Sequence, residues 1–165
     1  MAAGVVEAMT AAEKFVVHQE PVWRERSNFI INAELSEKDL PWRSEQLYVR
    51  QVSDDRFEVC CIPFFLYDVA LGDIVATSPK GDRKYVVTNV VQPSGRYVFR
   101  VWLGESLQAP DEIAEQLEAL GSLVEWSSRN LLAVDAVDQE HAQLVANYLA
   151  ERERAQQLIY ETGLS

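Results

Sequence analysis

Apolar and polar residues alternate with a period of two over much of the first hundred positions and switch to a helical period in two stretches after that. Lys14 to Glu20 is β-branched and aromatic and ends at Pro21, and Asn28 to Leu35 has the same character. Both read as strands. A polar segment from Ser36 to Glu45, with Leu40-Pro41-Trp42 inside it, reads as a loop pinned by its tryptophan. Leu47–Val52 and Arg56–Cys61 flank Ser53-Asp54-Asp55, the pattern of a hairpin. In its second strand Phe57, Val59 and Cys61 share one face, expected buried, and Arg56, Glu58 and Cys60 the other, expected wet. Pro63 cannot donate to a ladder, so Ile62-Pro63-Phe64-Phe65 is expected to leave the strand, fold over the core and re-enter a strand after Gly72-Asp73. Strands ending at Pro79 and covering Tyr85–Val91, around Lys80-Gly81-Asp82-Arg83, complete a meander.

Beyond Gly95 the rhythm changes. Tyr97, Phe99, Val101 and Leu103 line one face of a strand. Pro110 opens a helix with Ile113, Ala114, Leu117 and Leu120 on its apolar side and Gly121 as its C-terminal cap. Strands at Ser122–Ser127 and Leu131–Val137 follow, around Ser128-Arg129-Asn130. Asp138 caps a second helix whose stripe is His141, Leu144, Val145, Tyr148 and Leu149, and Gln157–Glu161 closes the set as a strand. The predicted fold class is α+β: a small N-terminal β-barrel-like meander over 14–95, packed closely on a C-terminal ferredoxin-like βαββαβ sandwich over 96–161. Residues 1 to 13 lack a clear period and read as a leader or short helix, without the basic region and long apolar run of a signal peptide.

Charge changes the picture mainly in the second half. Residues 1–103 carry 12 Lys/Arg against 14 Asp/Glu, and residues 104–165 carry 3 against 12, so the net charge of −11 is concentrated there. Such a surface repels nucleic acid and attracts a basic protein. No run approaches the roughly 20 apolar residues of a membrane span. The two cysteines are the neighbours Cys60 and Cys61, which cannot pair with each other on a strand, so the chain reads as cytoplasmic and without a disulfide framework.

The search for chemistry is mostly negative. His18 and His141 read as packed histidines, and no metal or cofactor site is expected from two histidines and a vicinal cysteine pair. Gly-rich phosphate cradles and a Gly-x-Ser-x-Gly elbow are absent from the sequence. Asp68 and Asp73, with Arg50 or Arg100, form a candidate acid/base pocket that reads more simply as a turn residue, Asp73, and a solvated loop charge, Asp68. Phe64, Phe65, Tyr85 and Trp102 are the candidate apolar lining of a small-molecule pocket between the two halves. The acidic helix face Asp111, Glu112, Glu115 and Glu118 is the candidate surface for a basic protein partner. Val98, Arg100 and Trp102 mark a sheet face free to form a homodimer. The balance favours a non-enzymatic binding or accessory protein acting through protein contact, immunity-like or regulatory, over a small-molecule binder or enzyme.

The run Ile62-Pro63-Phe64-Phe65, the following Ala70-Leu71-Gly72-Asp73-Ile74-Val75, Gly121-Ser122-Leu123-Val124-Glu125 and Leu132-Ala133-Val134-Asp135 together resemble a bacterial domain-of-unknown-function family, number forty-two sixty-five. The likeness spans roughly residues 28 to 161. It implies a small intracellular bacterial protein, often encoded alone or near specialised gene clusters, with no catalytic residues to carry over.

Overall fold

Among the described residues, ten strands and two helices build two sheets that meet across a buried, irregular stretch of chain. The computed structural model describes residues 15–36, 43–104 and 110–164. The strands are β1 (Phe15–Val16), β2 (Phe29–Glu34), β3 (Ser44–Ser53), β4 (Arg56–Val59), β5 (Ile74–Lys80), β6 (Arg83–Gln92), β7 (Tyr97–Trp102), β8 (Leu123–Trp126), β9 (Leu131–Ala136) and β10 (Ile159–Thr162). The helices are α1 (Pro110–Ala119) and α2 (Gln139–Arg154), and a 3-10 turn covers Arg24–Arg26.

The first sheet runs β1-β3-β2-β6-β5-β4, and β3 also pairs with β4, which closes five strands into a barrel with β1 added alongside β3. Closure removes the open edges that such short strands would otherwise expose. The barrel is filled by alternate residues of its strands: Ile31 and Ala33, Leu47 and Val49, Phe57 and Val59, and Val75. Phe29 and Tyr85 plug it from the side, each with its ring edge-on or tilted to Phe57 at 5.2 Å.

The second sheet has the order β10-β7-β9-β8, with every pairing antiparallel. α1 and α2 cover one face, burying Ile113, Ala114, Leu117, Ala142, Val145 and Leu149 against Phe99, Val101, Leu132 and Val134. α1 ends as its sequence dictates: Gly121 adopts φ +97°, and Ser122 N–H returns to Leu117 O at 3.1 Å. α2 starts where Asp138 Oδ1 accepts the His141 N–H at 2.8 Å.

Between the two sheets lies the segment from Cys60 to Asp73, which joins β4 to β5 without strand or helix. Its Ile62, Phe64, Ala70 and Leu71 form a third apolar cluster with Val16, with Val98 of β7 and with Ala133 of β9. This is the corner expected at Pro63.

Several expectations need correction. The first strand is only two residues long, because from Val17 the chain turns away to carry His18 inward. Cys60 is as buried as Cys61, since the segment leaving β4 is sandwiched on both sides. Leu144 is 54% exposed, and Ala142 takes its place on the buried stripe of α2. The sheet face carrying Val98, Arg100 and Trp102 is not free, because the Cys60–Asp73 segment covers it; Val98 and Arg100 are buried and only Trp102 is exposed. The expected leader at 1–13 and the Leu40-Pro41-Trp42 loop lie outside the described residues.

Candidate functional site

The densest polar chemistry sits in this junction, and it is sealed. Glu45 follows Ser44 at the start of β3 in phase with Leu47 and Val49, so the pleat that directs those two inward directs its carboxylate inward as well. Glu125 alternates with Val124 and Trp126 on β8; those two pack toward the helices, and the glutamate points to the barrel side. His18 lies two residues after buried Val16 and reaches between the two carboxylates. Its Nδ1 is 2.8 Å from Glu125 Oε1 and its Nε2 is 2.7 Å from Glu45 Oε2. The ring stacks on Phe64 with centroids 4.1 Å apart and planes 10° from parallel.

The remaining lone pairs of the carboxylates satisfy the backbone of the irregular segment. Glu45 accepts the N–H groups of Phe64 at 2.8 Å, Phe65 at 2.8 Å and Leu66 at 3.1 Å. Glu125 Oε2 accepts those of Ile62 at 2.5 Å and Val22 at 3.4 Å. Pro63, between these donors, has no N–H to satisfy. A buried loop would otherwise leave these amides orphaned.

Burial works against a charged His18, but the hydrogen-bonded carboxylates of Glu125 and Glu45 outweigh that and hold the imidazole well above its usual range. For Glu45, burial opposes ionisation; the hydrogen bond and charge of His18 and the amides of Phe64 and Phe65 prevail, and its carboxyl sits below the ordinary value. Burial raises the Cys61 thiol, and burial together with the Glu58 carboxylate pushes Cys60 up to about 12, so neither sulfur is an available thiolate at neutral pH.

The sequence-derived candidates fall in five places. Phe64 and Phe65 fill the junction. Tyr85 packs on the barrel core, remote in role from either. Arg100 donates Nη2 to Leu66 O, lies 4.5 Å over the Tyr67 ring and 3.6 Å from Glu161, so it clamps the same segment. Asp73 is a buried turn residue, its carboxylate accepting the N–H of Ala70 at 2.9 Å and of Ser94 at 2.8 Å. Trp102 is 48% exposed at the far end of β7, opposite exposed Ile159 of β10. Asp68, with φ +65°, and Asp73 do line a common cavity of about 310 Å³, walled by Val69, Val90, Tyr97 and Leu164 and edged by Arg96. Phe64, Phe65, Tyr85, Arg100 and Trp102 do not line it. Asp111, Glu112, Glu115 and Glu118 are all exposed on α1.

His141 is a structural residue: Nδ1 accepts Val137 N–H at 3.0 Å and Nε2 donates to Leu120 O at 2.8 Å, tying α2 to the end of α1. Among the described residues no three His, Cys, Asp or Glu side chains are arranged to hold a metal ion. No helix of the described chain is long and apolar enough to cross a membrane. Sequence reading missed Glu45 and Glu125. Their signal was present as a carboxylate in phase with apolar neighbours on a strand, a placement that demands buried partners.

The fold has a solved counterpart. A crystal structure described as that of a hypothetical protein from Neisseria gonorrhoeae superposes with a TM-score of 0.70 at 19% identity, covering 82% of this chain and 93% of that one. At that identity the likeness is one of fold. No curated protein matches the chain. The family model for the domain of unknown function DUF4265 matches residues 45–160, and the chain belongs to that family.

Proposed function

We propose that this chain is a non-enzymatic binding protein that works by protein contact and offers the outer face of α1 to a basic partner, an immunity-like or regulatory role being one form of it. The observation that carries this reading is a contrast of exposure. The imidazole, thiol and carboxylates that chemistry would need are sealed in the junction, whereas Asp111, Glu112, Glu115 and Glu118 stand exposed on a ten-residue helix with no basic residue in its last turn. Like charges four apart, as at Asp111 and Glu115, cost an isolated helix about 0.2–0.5 kcal/mol. A basic partner would turn that repulsion into attraction and accelerate encounter. The test is affinity for the products of the adjacent genes at low and high salt, with wild type and a D111N/E112Q/E115Q/E118Q variant. Binding weakened by salt and by the substitutions is expected; binding indifferent to both, or none, would overturn the reading.

A second reading, a small-molecule binder or enzyme, is favoured by the cavity between the two halves, whose 310 Å³ is at the low end of ligand pockets. Its mostly apolar walls suit a small aromatic or aliphatic molecule. Thermal shift over a metabolite panel tests it, with Thr162→Trp, an exposed wall residue, expected to abolish any shift.

We also read the second sheet and its helices as a ferredoxin-like unit. The strand order β10-β7-β9-β8, with a helix after β7 and another after β9, supports that reading. A division near residue 95 is supported by the barrel ending with Gln92 and the second sheet beginning at Tyr97.

A further inference from the structure

Both nitrogens of His18 face carboxylate oxygens, at 2.8 and 2.7 Å. A carboxylate only accepts, so both contacts are hydrogen bonds only when both nitrogens carry hydrogen. A neutral ring would turn one lone pair toward a carboxylate oxygen in a site that water does not reach. The three side chains come from three parts of the chain: the stretch after β1, β3 of the barrel and β8 of the second sheet. Glu125 holds the Ile62 N–H through its second oxygen, and Glu45 holds those of Phe65 and Leu66 through its second oxygen and that of Phe64 through the oxygen that faces His18. The groups facing the ring are therefore Glu45, Glu125, the Cys61 thiol and the Phe64 ring.

We propose that His18 is a proton-operated latch: as an imidazolium between Glu45 and Glu125 it clamps the N-terminal stretch and the Ile62–Leu66 segment across the barrel and the second sheet, and loss of its proton to solvent opens that junction. The closed cluster holds one positive and two negative charges. Deprotonation leaves two carboxylates with one shared N–H donor between them, and the uncompensated charge is relieved by letting water in.

The pH window follows from linkage. His18 has its folded value raised, so its stabilisation is complete below about 6.5, the ordinary histidine value, and is lost as pH rises through the folded value well above that. Glu45 has its folded value lowered, so its share is present above the ordinary 4.5 and is lost only as pH falls through a value below it. The latch is closed at neutral pH and opens on the alkaline side.

The experiment is a pH titration of the wild-type chain, reading the imidazole nitrogen shifts of His18 and the exchange protection of the Ile62, Phe64 and Phe65 amides relative to the barrel amides of Val49 and Phe57. Expected are two protonated nitrogens at neutral pH, persisting well above the ordinary histidine value, followed by selective loss of protection in the Ile62–Phe65 amides as the proton leaves. A singly protonated ring at neutral pH would overturn the proposal, as would deprotonation that leaves those amides protected or occurs only with global unfolding. Glu125→Gln, which removes one negative charge but keeps an acceptor for the Ile62 N–H, is expected to bring the titration down toward the ordinary histidine value. Should that variant not fold, the wild-type titration decides alone.

Discussion

Asp135 of β9 offers the most direct test of the electrostatics, because its carboxylate is fully buried and only partly compensated. Arg96 Nη1 lies 2.5 Å from Oδ2, while Oδ1 has no hydrogen-bond partner. Burial raises its pKa from 3.8 to about 6, against the pull of Arg96 and His141. Between those values the folded state holds a proton that the unfolded chain has released, so stability falls as pH rises from about 4 to 6 and the penalty is complete above that. A shift of about two units corresponds to about 3 kcal/mol, of which about 2 falls between pH 4 and pH 7. Asp135→Asn keeps the shape and abolishes the ionisation. Urea unfolding of both proteins at pH 4 and pH 7 is therefore expected to show the stability of the variant, relative to wild type, rising by about 2 kcal/mol over that interval. A difference that is the same at both pH values, or that moves the other way, would refute the claim that burial outweighs Arg96 at this site.

Two further substitutions check local geometry. Gly72 has φ +83°, and a Cβ there would stand 3.1 Å from Ser94 Cβ, whereas Gly81 has φ +61° with nothing near. Gly81→Ala is expected to cost about 1 kcal/mol for the left-handed backbone alone and Gly72→Ala clearly more, both read by denaturant unfolding. Asp138→Ala removes the side-chain acceptor of the His141 N–H and is expected to lower stability by about 1 kcal/mol in thermal unfolding, with helix content retained.

Where the period of the chain matched a single layer, the sequence was a good guide. The hairpin around Asp54-Asp55, the two helices with Asp138 and Gly121 at their ends, and the inward face of Tyr97, Phe99, Val101 and Leu103 all answer to local pattern. It was a poor guide where two layers meet. Glu45 reads as the tail of a polar loop, because its phase with Leu47 and Val49 becomes informative only once β3 is known to begin at Ser44. Glu125 between Val124 and Trp126 has the pattern of a strand with one wet face; that its wet face is roofed by another part of the chain is a tertiary fact. The same roof explains why Arg100 is buried although alternation places it outward, and Cys60 is buried because it belongs to the roofing segment itself.

The junction also explains why charged groups are buried at the centre of the molecule. A segment of irregular backbone between two sheets has no ladder to satisfy it, and side chains from both sides substitute: Glu45 and Glu125 take its amides from Ile62 to Leu66, Arg100 takes the Leu66 carbonyl, and Asp73 takes the Ala70 amide. Each buried amide left without a partner costs about 1–3 kcal/mol, so removing Glu45 alone would strand three donors. Two carboxylates brought in for that purpose need a buried cation in turn. An arginine or lysine there would be charged at every pH of interest, whereas a histidine makes the join conditional on a proton. The chemistry concentrated at the centre of this molecule is thus a consequence of packing a loop between two sheets, and the identity of the cation decides whether the packing responds to its surroundings.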